Sequence, residues 1–107
     1  MTKREKPEPG YAPVYCAMYP ELAKIVRRHG YALSVHGSLM RDMDLVCIPW
    51  VDEVSEPQAV LDEICKVFAV RQLGAGEAKK HGRVAYTLSV AWGECAIDLS
   101  FMPIVKQ

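Results

Sequence analysis

Asp42 and Asp44 stand two residues apart in the run Asp42-Met43-Asp44-Leu45-Val46. On an extended strand, side chains two apart emerge from the same face, so the two carboxylates are near enough to share a hard cation. Their mutual repulsion asks for one. Taken alone, such a pair also fits two solvated acids on an amphipathic strand. A third acid, Asp98, lies between Ile97 and Leu99 in an otherwise apolar segment. Aspartate is a poor strand former, so its presence there asks for a reason. Gly37-Ser38 comes just before the pair. A glycine at a strand end lets backbone amides come close to a ligand, and the next residue adds a hydroxyl, which together suit a phosphate oxygen. Alone, Gly-Ser is an ordinary turn.

The order of these parts is strand, Gly-Ser, strand with Asp-x-Asp, then a third Asp on a later strand. The wording Val35-His36-Gly37-Ser38-Leu39-Met40-Arg41-Asp42-Met43-Asp44-Leu45-Val46, with Ile97-Asp98-Leu99, resembles the nucleotidyltransferase superfamily typified by DNA polymerase β and the minimal nucleotidyltransferases. It is also similar to short proteins of tailed phages and prophages that share H-G-S-x-x-R-D-x-D-L and I-P-W. The likeness runs over residues 11–103. It implies a nucleotidyltransferase-like fold in which Gly37 and Ser38 hold the phosphates of a nucleoside triphosphate. Asp42, Asp44 and Asp98 would then be the metal-binding, catalytic carboxylates, taking Mg²⁺ or Mn²⁺ for transfer of a nucleotidyl group to a hydroxyl acceptor. Only Leu39, Met40 and Arg41 separate Ser38 from Asp42, a shorter connection than the helix-containing one usual in the family. The same resemblance therefore leaves a second expectation open: a catalytically degenerate module that binds a nucleotide, a metal or a host protein, in a phage accessory or counter-defence role.

Basic partners for a triphosphate are Arg41 beside the acids, Arg83 entering a later strand, and Lys79-Lys80 in a loop. Arg41 is best placed, and Lys79 and Lys80 read equally as solvated loop charges. His36 abuts the Gly-Ser, where a structural hydrogen-bonding role competes with phosphate contact. Trp50 after Pro49 is read as a core or rim aromatic at a sheet end, with base stacking as the other use.

These residues need elements to hold them. The pattern Leu22, Ile25, Val26 predicts a helix that opens at Pro20 or, with Pro13 as a first-turn proline, earlier, and stops at His29-Gly30. Strands are expected at Tyr31 to His36 and Met43 to Trp50. Ser55-Glu56-Pro57 reads as a capped start for a helix whose apolar stripe is Val60, Leu61, Ile64, Cys65, Val67 and Phe68. A short strand at Ala69 to Leu73 is followed by a glycine-bounded loop, Gly74 to Gly82. Arg83 to Trp92 and Cys95 to Phe101 form a hairpin around Gly93-Glu94. The sum is α+β: a mixed β-sheet with two main helices packed on one face.

The whole chain, 107 residues with 13 basic against 13 acidic side chains, has the composition of one small globular domain. A chain of this size buries roughly two-thirds of its unfolded surface, so no staple is needed. The expectation is a flexible tail over residues 1–10, charged and broken by Pro7 and Pro9, and a single domain over 11–107. Zero net charge excludes the broad basic footprint of an extended duplex binder. No apolar run, Leu45 to Val51 included, approaches the ~20 residues of a membrane-spanning helix. Cys16, Cys47, Cys65 and Cys95 show no zinc-ligand spacing and read as small core residues of a cytoplasmic protein.

Overall fold

The computed structural model describes residues 10–90 and 95–104. The expected tail falls almost wholly outside them, as does the expected Gly93-Glu94 turn. The described chain is α+β, with α1 at Ala12–Arg28, β1 at Tyr31–His36, β2 at Asp42–Pro49 and α2 at Pro57–Val67. It continues with β3 at Val70–Ala78, a 3-10 turn at Lys80–Gly82, β4 at Val84–Val90 and β5 at Ala96–Phe101. The five strands form one sheet in the order β1-β2-β5-β4-β3. The β2–β5 pair is parallel and the other three pairs are antiparallel.

Both helices lie on one sheet face, because alternation in the central strands leaves only that face fully apolar. Met43, Leu45 and Cys47 of β2 and Ile97, Leu99 and Phe101 of β5 point into a core with Tyr15, Leu22, Ile25 and Val26 of α1 and Val60, Leu61 and Ile64 of α2. The side chains between them, Asp42, Asp44 and Asp98 included, are left to the other face. Burial drives the Cys47 thiol pKa well above its usual range. No helix among the described residues is long and apolar enough to cross a membrane.

Three local expectations are corrected, and the start of the first helix, left open by the sequence, is fixed. The first helix begins at the earlier of its two possible starts, with Pro13 in the first turn and Pro20 inside it. The third strand runs on to Ala78, taking in residues expected to be loop. Gly74 has φ +74°, the pairing with β4 shifts between Leu73 and Glu77, and a Cβ on Gly76 would lie 2.7 Å from the Tyr86 ring. The glycines there make a bulge and a close cross-strand approach, neither of which shows in a period-two pattern. Helix α2 starts after Glu56 with no side-chain cap, Ser55 being engaged elsewhere. Cys47 and Cys95 are buried as expected, but Cys16 is exposed on α1.

Candidate functional site: an acid row on the open sheet face

Register places the acids. Asp44 on β2 pairs with Asp98 on β5, His36 on β1 pairs with Asp44, and Thr87 on β4 pairs with Asp98. His36, Asp44, Asp98 and Thr87 thus form one row across four strands, on the face away from the helices. Asp42 sits on the same face of β2, one row along, opposite Ala96. Asp44 and Asp98 are half-buried and face each other in register across the β2–β5 pair, so their charges oppose one another. The Asp44 carboxyl is pushed above its usual range, first by burial, then by the charges of Asp98 and Asp42, with His36 pulling the other way. Thr87 donates its hydroxyl to Asp98 Oδ1 at 3.3 Å.

The Gly-Ser turn meets this row. Gly37 has φ +73°, and a Cβ built on it would lie 2.9 Å from Asp44 Oδ2, so a side chain there would occupy the space next to the carboxylate. The Ser38 hydroxyl accepts the Met40 N–H at 3.3 Å, folding the turn on itself. Leu39 is left-handed at φ 62°, an uncommon conformation for a branched apolar residue. It is held there because its side chain packs on the core. Tyr15 secures the arrangement from beneath: its hydroxyl donates to the Arg41 carbonyl and accepts the Ala96 N–H at 3.1 Å. That ties the turn to the start of β5, beside Asp42. Burial raises the Tyr15 hydroxyl to about 12, so it remains a donor.

Not every expected site residue joins this row. Arg41 is exposed at the end of the turn. Lys79 is paired with Glu77 at 3.2 Å. Lys80, Arg83 and Trp50 line a groove that continues from His36 along the open face, with Val46 and Ile48 among its lining residues. Trp50 is a rim residue of that groove, 80% exposed and not part of the core. Sequence reading missed Tyr15 and Thr87. Thr87 carries a weak signal in its strand parity, whereas Tyr15 acts on residues 26 and 81 positions away and carries none.

A second polar cluster, also missed, joins the helices. His29 at the end of α1 bonds Ser55 Oγ through Nδ1 and Glu63 Oε1 through Nε2, each at 2.7 Å. Arg28 pairs with Glu63 as well, and these bonds hold the Glu63 carboxyl below its usual range. The Ser55 N–H donates to the His29 carbonyl at 3.0 Å. The Ser–His–Glu sequence of contacts has the membership of a catalytic triad without its setting. The serine amide is already used, the acid is shared with an arginine, and none of the three side chains lines the groove.

The acid row offers oxygen donors alone, the donor set that suits Mg²⁺ or Mn²⁺ over Zn²⁺. The like-charge pair and the space kept open by Gly37 fit a divalent cation at Asp44 and Asp98. As the side chains stand, no three His, Cys, Asp or Glu among the described residues are gathered closely enough to hold an ion together. No family model, curated protein or solved structure matches the chain.

Proposed function

We propose that this chain is a nucleotidyltransferase-like protein whose Asp42, Asp44 and Asp98 serve Mg²⁺-dependent transfer of a nucleotidyl group from a nucleoside triphosphate to a hydroxyl acceptor. The observation that supports it best is the in-register Asp44–Asp98 pair on parallel neighbouring strands, with Asp42 on the same face and Gly37 against Asp44. Two half-buried carboxylates that oppose each other in the bare protein lower its stability, and such an arrangement is characteristic of sites that bind something. In this reading a bound Mg²⁺ would supply charge neutralisation at the phosphates and activation of the attacking hydroxyl. Asp44 and Asp98 hold the ion, Asp42 adds the third carboxylate, and Thr87 fixes the orientation of Asp98. Gly37 leaves room for a phosphate oxygen beside the acids, with the Ser38 hydroxyl and the Arg41 guanidinium at the same turn to bind it.

The three-residue connection from Ser38 to Asp42, and a third carboxylate not gathered with the other two, favour one alternative: a degenerate module of the same kind that binds nucleotide or metal without transfer. Titration calorimetry with Mg²⁺ or Mn²⁺, with and without each nucleoside triphosphate, tests both. Metal-dependent nucleotide binding with pyrophosphate release supports the enzyme. Binding without pyrophosphate release supports the module, and no binding of metal or nucleotide rejects both.

A further inference from the structure

The groove on the open face, about 1410 Å³, has its walls at one end of the sheet. β2 leaves that end through Trp50, Val51, Asp52 and Glu53. β5 leaves it through Met102, Pro103 and Ile104. β4 enters it from Lys80, His81 and Arg83. Since β5 lies between β2 and β4, the acids Asp52 and Glu53 flank one side of the β5 exit and the bases Lys80 and Arg83 flank the other. Trp50, Val51, Ile48 and Ile104 are all exposed large apolar residues of the lining. Asp52, Glu53, Lys80 and Arg83 make no ion pair with any described residue.

Charge selects the occupant. A nucleic acid or an acidic peptide drawn to Lys80 and Arg83 is repelled by Asp52 and Glu53, and a basic partner meets the reverse. An apolar strip with acid on one flank and base on the other is complementary to itself after a half-turn, the requirement for an isologous two-fold contact. We propose that this face is the interface of a homodimer. Lys80 and Arg83 of each copy meet Asp52 and Glu53 of the other, and the two Trp50 side chains pack near the axis with Val51 and Ile104. An exposed tryptophan in such a patch is the residue type that most often dominates an interface. The dimer does not depend on the reading of the acid row.

Sedimentation velocity and light scattering on the full chain, from micromolar to millimolar, test it. The parent chain is expected to show a concentration-dependent shift toward twice the monomer mass, and Trp50→Arg to weaken it at least about tenfold. The variants D52K/E53K and K80E/R83E are each expected to stay monomeric alone and to form a one-to-one pair when mixed, since one contact then keeps the parent signs and the other is restored with its signs exchanged. A parent that stays monomeric throughout overturns the proposal and leaves the groove to another ligand. So does a dimer indifferent to Trp50→Arg, or a mixture of the two charge variants that fails to pair.

Discussion

Two clusters of ionisable side chains sit at opposite faces of this sheet, and their electrostatics run in opposite directions. At the junction of the helices, Glu63 is surrounded by Arg28 and His29, and its carboxyl is held below its usual range. In the acid row, Asp44 faces Asp98 and Asp42, and its carboxyl is pushed above it. The first cluster is complete: each charge has its complement, and the bonds join α1, the loop before α2 and α2 itself. In the second, the carboxylates of Asp44, Asp98 and Asp42 oppose one another, and His36 offsets them only in part. A set of groups that satisfies itself is explained by the fold it holds, whereas a set that opposes itself needs a ligand to explain it.

The sharpest way to break this contrast is Asp44→Asn. The amide removes one of two opposed charges, so the bare protein should melt at the same temperature as the parent or higher. The function should go: a drop of roughly 100-fold or more in Mg²⁺ affinity and in nucleotidyl transfer, above what loss of an outer-shell partner alone causes. Mg²⁺ should raise the melting temperature of the parent and not of the variant, by mass action. Thermal scans with Mg²⁺ and with EDTA, set beside calorimetry, read both effects. A variant that binds Mg²⁺ as the parent does would place the acid row with the self-contained cluster.

The parts of this contrast that follow a period are legible in the sequence. Alternation in Asp42 to Ile48 and in Cys95 to Phe101 by itself puts the three acids on the face opposite the apolar set, and the run of strands and helices gives α+β. The row itself is not legible, because the pairing of Asp44 with Asp98 depends on β5 inserting between β2 and β4, and no local pattern encodes strand order. The junction cluster is hidden for a similar reason. Ser55 in Ser-Glu-Pro has the form of a helix cap, and only the return of His29 onto it, 26 residues away in sequence, takes its hydroxyl for another use. The extension of β3 through Gly74 and Gly76 is concealed by glycines, which mark loops in most contexts.

Tyr15→Phe probes the link between scaffold and acid row. Tyr15 is fully buried, and its hydroxyl serves Arg41 and Ala96 at once. Removing it leaves two backbone groups short of a partner and should cost about 1–3 kcal/mol. For a chain of this length that is a fall of roughly 4–8 °C per kcal/mol, read by calorimetry or circular dichroism. His29→Ala should act at the other cluster, freeing Ser55 and Glu63 at a partly exposed site, with a loss of about 1 kcal/mol. Mg²⁺ affinity should be unchanged in His29→Ala. A change there would mean that the two clusters are coupled through α1.

The smallest effect, and the one that separates the clusters by sign, is the pH dependence of stability. Asp44 has its pKa raised from an ordinary 3.8, so the native state favours its protonated form. That contribution is complete below pH 3.8 and is lost as pH rises through the native value. Glu63 has its pKa lowered from an ordinary 4.5, so its contribution is present above pH 4.5 and is lost as pH falls through the native value. Both variants are compared with the parent in EDTA, by melting temperature against pH. Asp44→Asn should gain on the parent as pH climbs from 3.8, levelling once the parent's Asp44 is fully ionised. Glu63→Gln should trail the parent above pH 4.5 and close the gap as pH falls below it. Both difference curves change in the mildly acidic range, but the Asn variant's rises with pH while the Gln variant's falls. Two curves of the same slope would show that the acid row carries no net repulsion, and the physical ground for placing a cation there would be gone.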